Sequence, residues 1–558
     1  MDLPGFNWSC VSPVYGRRPS CVTLESLDDL PESLPDVRER VRRDHSDAES
    51  LHTLGVMLAA RGEFRRSFVC HCAAAACRPE EVKYLYHSGS AALSLGRADT
   101  AAWYLDKALS IDPGRAEAWQ TRGQLYADLF KMPDEALRGY VKAIELAPED
   151  LVNYRSAARC VLDGDGHGAA AARLRDAMPA GVDPLHADRG VALALADTGC
   201  YEEAVPIFGD ILRQRPGDQV SMRGLAELCT GQRDWRGAQS WYERAMAAGD
   251  DTLTVIGYLL HLSRLGDFDQ ARRLYHSHDL GKPIGTPAGS TVRRWQGQDL
   301  RGKTLRLIGG DRYFGDPLQY ARFARQAKEA GAHVVLQAPK RLRSLLRTVA
   351  GVDAVVALHD PTPALDYEAV AFWMLWEMSL PVEEMICRGP YLQAPADLRA
   401  HWRKRIAPTG GINVGIVWRG SAHLKHDRFR YRSMHISDLR PLAEVRGVTL
   451  YSLQCGEGRT ELLDANPAFP AVDLAPDFPN AAAAIEALDL VVTVDTSIAH
   501  LAGGLGKRTF LMLPYNADFR WMADRDDTPW YPATRLFRQT TPGQWSDVVA
   551  AVARALEQ

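Results

Sequence analysis

Three stretches of this sequence bring together residue types that handle phosphate groups and protons. The first is Asp495-Thr496-Ser497-Ile498-Ala499-His500-Leu501-Ala502-Gly503, which follows the β-branched run LVVTV at 490–494. A strand passing into a helix capped by Thr496 or Ser497 leaves unpaired N–H groups at the helix start. With the helix dipole these make a phosphate site, and His500, one turn in, reaches the same ligand. The same letters also fit plain capping, with His500 packed on a wall. The second stretch follows INVGIVW at 412–418, where RGSAHLKHDRFRYRS holds Arg419, Lys425, Arg428, Arg430 and Arg432 with His423 and His426, against Asp427. A basic loop at a strand end suits a diphosphate through charge-assisted hydrogen bonds, and it also fits a solvated loop. The third is DRYFGDPLQYARF after TLRLIGG (304–310), in which Asp316 stands between Gly315 and Pro317. Pro at a first helical position makes Asp316 a candidate N-cap; its carboxylate is equally a candidate general base.

These stretches need strands to carry them. TLRLIGG, HVVLQA (333–338) and DAVVAL (353–358) are short β-branched runs separated by helical patterns at about 317–330 and 340–349. A second set comprises INVGIVW, VTLYSLQ (448–454), AVDL (471–474), LVVTV and RTFLML (508–513). Helical patterns at about 437–445, 457–465, 480–488 and 498–505 intervene. Alternation of this kind predicts βαβ units and parallel sheets. Two sets joined near 395–411 predict two Rossmann-like halves, 303–395 and 411–558, facing each other across a cleft. Ligands of open α/β sheets bind beyond the carboxyl ends of strands, which is where the three stretches lie. GKPIGTPAGST at 281–291 opens a linker that we place at 281–302.

The N-terminal half repeats itself. Gly55, Gly89 and Gly123 lie 34 residues apart, as do Leu51, Leu85 and Trp119; Pro79 and Pro113 keep the step, and Pro148 follows after 35. Ala74, Ala108 and Ala143 behave in the same way. A small residue lets two helices approach, and the Pro ends the second helix. The unit Trp119-x-x-Arg122-Gly123-x-x-Tyr126 resembles the tetratricopeptide repeat. That implies an α-solenoid of about seven helical pairs over 48–280, preceded by an N-terminal segment, 1–47. Such arrays stack to cover apolar faces and present a binding surface; the alternative is an array that only stabilises the C-terminal half. Cys70-His71-Cys72 with Cys77 looks like a metal cluster, but it falls inside a repeat helix, where thiols pack as small hydrophobes. Asp163-Gly164-Asp165 reads as a turn rather than a metal-binding DxD.

Composition narrows the function. The chain has 558 residues, of which 46% are hydrophobic and 24% charged, and 66 Lys+Arg against 70 Asp+Glu give a net charge of −4. No basic excess points to nucleic acid. Ten Cys in this length fit a reducing compartment rather than a disulfide framework. No apolar signal region opens the sequence, and AVAFWMLWEMSL (369–380) is too short to span a bilayer. A cytoplasmic protein without a membrane span is expected. GxxxxGK[ST], GxGxxG and GxSxG are absent, which sets aside P-loop ATPases, dinucleotide enzymes and α/β-hydrolases.

The string VVTVDTSIAHLAGGLGKRTFLMLP (491–514), continued by DFRW (518–521), DTPWYP (527–532) and LFRQ (536–539), resembles the GT-B glycosyltransferases that follow tetratricopeptide arrays in bacteria. These are similar to lipopolysaccharide heptosyltransferases and, more remotely, to O-GlcNAc transferase. The resemblance implies that Asp495, Thr496, Ser497 and His500 hold the phosphates of a nucleotide sugar. It implies Arg419, Lys425 and Arg428 as donor contacts, Gln454 as a residue near the base, and Asp316 as the catalytic base. Pro317 replaces a usual Thr, Cys455 a usual Lys, and Asn480 a common Thr. The implied activity is inverting, metal-independent transfer from a nucleotide sugar, the only co-substrate, to Ser/Thr of a protein acceptor held by the array. Among proteins of this layout flagellin modification is a known type, so flagellin is the implied acceptor. A lipopolysaccharide heptosyltransferase-like enzyme and a non-catalytic adaptor with a degenerate GT-B half are the alternatives. The domain boundaries further predict that residues 290–558 alone retain donor binding.

Overall fold

The computed structural model describes residues 44, 47–60, 64–164, 167–179, 181, 183–278, 280, 292–310, 314–357, 360, 362–378, 389–406, 410–420, 432–465, 469–474 and 476–558. The chain divides into two compact units, residues 1–229 with 236–249 and residues 230–235 with 250–558.

In the repeat region the described residues form fourteen helices in succession, from Ala48–Ala60 to Phe268–Ser277. The glycines at the 34-residue step lie where paired helices touch. A Cβ on Gly89 would stand 2.7 Å from Leu105, and one on Gly123 would stand 3.0 Å from the Tyr140 ring. Ala74, Ala108 and Ala143 are fully buried, as the small-residue step predicts. Pro79, Pro113 and Pro148 sit in the turns that follow helix ends. The helix Ala116–Leu125 widens into a π-helical turn, Tyr126–Phe130, which Lys131 ends in a left-handed conformation with φ 57°. Cys70 and Cys72 pack in the apolar core of the first repeats, whereas Cys77 is exposed. Asp163 and Gly164 end the helix Leu151–Gly164 rather than forming a turn, and Asp165 lies outside the described residues.

In the second unit two all-parallel sheets form. The first contains β1 (Arg293–Arg294), β2 (Thr304–Ile308), β3 (His333–Gln337), β4 (Ala354–Val356) and β5 (Tyr367–Val370), in the order β1-β5-β2-β3-β4. The second contains β6 (Ile412–Val417), β7 (Val448–Ser452), β8 (Ala471–Asp473), β9 (Leu490–Val494), β10 (Thr509–Leu513) and β11 (Thr534–Arg538), in the order β11-β10-β9-β6-β7-β8. Counted from β6 that is 3-2-1-4-5-6, the doubly wound order, whose crevice opens where winding reverses, between β6 and β9. The first sheet reverses in the same manner between β2 and β5. Val414, Ile416, Val492, Val494, Phe510 and Met512 fill the core of the second sheet. Their strands read as continuous apolar runs because helices cover both faces.

Three strands escaped the sequence reading: β1, β5 and β11. β1 falls inside the expected linker, 281–302, within which Arg293 and Arg294 belong to a sheet and pair with Tyr367 and Glu368. The segment 389–395, expected in the first half, is tied to the second: the Tyr391 and Leu392 N–H groups both donate to the Gly504 carbonyl. Asn480 accepts from the Trp402 indole at 2.9 Å and so fixes the helix Ala396–Arg405 against the helix Phe478–Ala487. No helix among the described residues is long and apolar enough to cross a membrane.

Candidate functional site

Two strand ends from different sheets meet in one place. At the end of β9 the Thr496 hydroxyl accepts from the Ile498 N–H at 3.3 Å and caps the helix Ser497–Gly504. The Thr493 hydroxyl, 3.3 Å away, steadies the cap. At the end of β2 the chain passes to the helix Gly315–Tyr320, with Asp316 in its first turn. Phe314 occupies the cap position and makes no side-chain cap bond, so Asp316 is not the N-cap that Pro317 suggested. The two helices lie against each other. A Cβ on Gly315 would come 3.1 Å from the His500 ring, so glycine sets how closely they approach.

Arg520 joins the two ends. Asp518 caps the short turn Phe519–Trp521, accepting from the Arg520 N–H at 3.1 Å and from its Nε at 2.8 Å. Arg520 Nη1 reaches across to Asp316 Oδ1 at 3.1 Å. The same nitrogen is 3.4 Å from His500 Nε2. The Arg520 side chain is 12% exposed and that of Asp316 38%, so the pair is rooted in the protein at one end and open at the other. The phenol ring of Tyr320 lies under the guanidinium, 5.9 Å from its centre.

His500 itself is 2% exposed, not on an open wall. Its ring stacks on Trp521 at 5.5 Å and 14°, and Nδ1 is 2.9 Å from the Tyr531 hydroxyl. Burial, together with the Arg520 and Arg322 charges, holds its pKa well below the ordinary value. A neutral ring cannot supply charge to a phosphate, but it can accept from Arg520 and orient it. The Asp495 carboxyl is pushed up to about 6 by burial and by neighbouring Asp518, against the pull of Arg520, Trp521 and Arg432. An acidic side chain does not bind phosphate; the phosphate-binding capacity of 495–500 lies in the N–H groups of the helix start.

The other expected donor contacts are arranged differently. Gln454 Oε1 accepts from the Trp418 and Arg419 N–H groups at 3.2 and 3.0 Å. Its Nε2 donates to the Arg419 and Cys455 carbonyls, both at 3.0 Å. That amide is committed to tying the ends of β6 and β7 together. The Arg419 guanidinium pairs with Glu461, and its side chain is 37% exposed. Lys425 and Arg428 lie outside the described residues. The described ends of the basic loop meet at a neck, where the Gly420 N–H donates to the Ser433 hydroxyl at 3.1 Å. A Cβ on Gly420 would stand 2.9 Å from Arg432 Nε. Cys455, at the position where Lys is usual, directs its thiol to the Pro476 carbonyl at 3.2 Å.

Sequence reasoning passed over Arg520, Asp518 and Tyr531, although DFRW and DTPWYP contain all three. The signal was an Asp-x-Arg pair just beyond the end of a buried parallel strand, β10. The assembled site therefore has a half-exposed carboxylate, a guanidinium held by two carboxylates and an imidazole, and a helix N-terminus. It can take a proton and neutralise a developing anion.

Residues 82–115 match the tetratricopeptide repeat family. Over 485 residues the chain is 24% identical to Protein FlbA of Caulobacter vibrioides, a match spanning 81% of this chain and 80% of that protein. Among solved structures, a tetratricopeptide repeat protein from Parabacteroides merdae is 17% identical, with 42% of this chain and 94% of that one covered and a TM-score of 0.25. The yeast Tom70 structure is also 17% identical, covering 44% of this chain and 54% of that one with a TM-score of 0.29. With residues 82–115 in that family and helical pairs on either side, the chain is a tetratricopeptide-repeat protein with homology to Protein FlbA.

Proposed function

We propose that the second unit is a GT-B glycosyltransferase that moves a sugar, with inversion, from a nucleotide sugar to a Ser or Thr hydroxyl of a protein acceptor. The observation that carries this reading is the convergence of Asp316, from the first sheet, on Arg520 and the Ser497 helix, from the second. A donor in the crevice of the doubly wound second sheet puts its diphosphate at the start of that helix. Arg520 adds fixed positive charge, and Lys425 and Arg428 are the further donor contacts that the resemblance implies, so the reaction proceeds without a metal. Asp316 takes the proton from the acceptor hydroxyl. The oxygen attacks the anomeric carbon on the face opposite the diphosphate, and the bond from that carbon to the diphosphate oxygen breaks. The nucleoside diphosphate leaves with the bonding electron pair.

The array supplies the acceptor contact, since tetratricopeptide arrays present binding surfaces. Flagellin is the acceptor we propose, and the cytoplasm, where nucleotide sugars are made, is the compartment. The test is direct. The purified protein is incubated with flagellin and a panel of nucleotide sugars, and the acceptor is weighed by mass spectrometry. A mass increment with one donor, present with added chelator and lost with Asp316→Asn, supports the reading. No increment with any donor, together with no binding of any nucleoside diphosphate, refutes it.

A further inference from the structure

The segment that carries Asp518 and Arg520 does not stand by itself. It leaves β10 at Tyr515 and returns through Asp527, and its backbone is held by the first helix of the last helical pair, Thr252–Leu265, which precedes Phe268–Ser277. Arg264 is the centre of that grip. Its Nη1 donates to the Ala517 carbonyl and lies 3.4 Å from Asn516 Oδ1. Its carbonyl accepts from the Ala523 N–H at 2.8 Å. That carbonyl is among the last four of its helix, which have no partner within the helix, so the contact satisfies both sides. The bonds fall on either side of the Phe519–Trp521 turn and fix both its ends. An outer latch adds to them: Asp524 accepts from Arg233 and from the Trp235 indole at 2.8 Å, and the Tyr515 hydroxyl reaches the Gln232 carbonyl at 3.5 Å. On the inner side Arg538 donates to the Trp521 and Met522 carbonyls at 2.6 and 2.7 Å.

We infer that Arg264 is a positioning residue of the site: the helix Thr252–Leu265 sets the 516–523 segment, and through it the reach of Arg520 toward Asp316 and the diphosphate. The inference rests on the transferase reading for its ligand but not for its geometry. A guanidinium that must meet both a carboxylate on the opposite sheet and a phosphate tolerates little displacement, because each bond needs a donor–acceptor distance of about 2.7–3.2 Å and weakens steeply when bent. The helix Thr252–Leu265 thus positions the reaction centre rather than merely preceding it.

The test uses the full-length chain with Arg264→Ala and Arg264→Lys, plus Asp524→Asn. The last lies at a 58% exposed side chain and loosens the latch even if Arg264→Ala does not accumulate. Two readouts are taken: amide hydrogen exchange, and affinity for UDP, GDP and ADP. The expected result is faster exchange at 516–523 with β11 unchanged, and about a tenfold loss of affinity for whichever nucleotide binds the wild type, equivalent to ~1.4 kcal/mol. Arg264→Lys recovers part of both effects, and Asp524→Asn gives a smaller change in the same direction. Unchanged exchange at 516–523 overturns the inference, as does faster exchange with unaltered affinity. Faster exchange in a protein whose wild type binds none of the three nucleotides overturns the transferase reading instead and leaves the positioning geometry standing.

Discussion

Replacing Asp495 by Asn should make the protein more stable at neutral pH and leave it almost unchanged in acid. The carboxyl sits at about 6 in the folded chain, against an ordinary 3.8, because it is buried and faces Asp518. A rise of about two pH units, at about 1.4 kcal/mol for each, comes to about 3 kcal/mol, and solvent reaching the partly buried group lowers that to about 1–3 kcal/mol. The folded form binds the proton more tightly than the unfolded one. Stability from this group is therefore present below the unfolded value and is lost as pH rises through about 6. Above that the wild type carries the whole cost of a buried charge, whereas Asn keeps the shape without it. The gain from Asp495→Asn should be largest near pH 7.5, fall to about half near pH 5 and to about a fifth near pH 4, and vanish near pH 3. Calorimetric unfolding of both proteins across this range measures the difference directly. A gain of equal size at every pH, or a loss near pH 7.5, would refute the electrostatic reasoning. Under the proposed transferase reading, the stabilised variant should also transfer sugar more slowly than the wild type.

Asp316→Asn should reduce transfer by about 10²–10⁴-fold, the usual contribution of a general base, while affinity for nucleoside diphosphates stays near wild type. Asp316 is not the N-cap of its helix, so the only folding cost is its ion pair with Arg520, of which the Asn oxygen keeps the hydrogen bond; the melting temperature should fall only slightly, and turnover close to wild type would remove Asp316 as the base. The first unit should respond to pH in the opposite sense to Asp495. His52 and His71 hold their Nδ1 atoms 3.3 Å apart, and the His87 ring stacks on His71. Burial, reinforced by mutual repulsion, pushes His71 down to about 3 and His87 down to about 4. Their neutral packing is therefore fully stabilising above about pH 6.5 and is lost as pH falls toward 4; lower protection factors, corrected for the intrinsic exchange rate, in helices 48–94 near pH 5 than near pH 7.5 check it, and equal protection at both would contradict it. A fragment beginning at residue 290 should aggregate or fail to bind nucleotide, contrary to the domain reading of the sequence. It lacks Arg264, Tyr275, which donates to Glu377, and Ser263, which accepts from the Trp376 indole at 3.1 Å. Size-exclusion chromatography against a fragment beginning at residue 250 decides the matter.

The repeats were legible because their constraint is local and periodic. A glycine every 34 residues records one helix touching its neighbour, and Gly89 against Leu105 shows the contact that the spacing implied. The buried parallel strands were legible for a similar reason, since strands covered on both faces keep long β-branched runs. Strands at or near an edge were less so. β1 is two arginines whose membership rests on backbone pairing with β5, and neither residue's character announces a strand. β5 is four residues running straight into an aromatic helical segment, which made the whole stretch read as one apolar block.

The site was half legible, and the division has a physical cause. Asp316, Thr496 and Ser497 were found because a strand end followed by a helix start can be read within a few residues. His500 was read correctly as lying one turn into that helix, but its surroundings come from elsewhere: Trp521 and Tyr531 from beyond β10, and Gly315 from the other sheet. Helical periodicity states which face a residue occupies and is silent on what covers that face. Arg520 is the stronger case: the Asp518-x-Arg520 pair beyond β10 is local, but nothing local says what its guanidinium reaches. Its importance comes from Asp518 two residues before it and Asp316 on a different sheet, and from a backbone held by Arg264 in the last helical pair. A charge shared by two sheets and a helix is a property of the assembled fold, and the energy that fixes it is that of the packing between them.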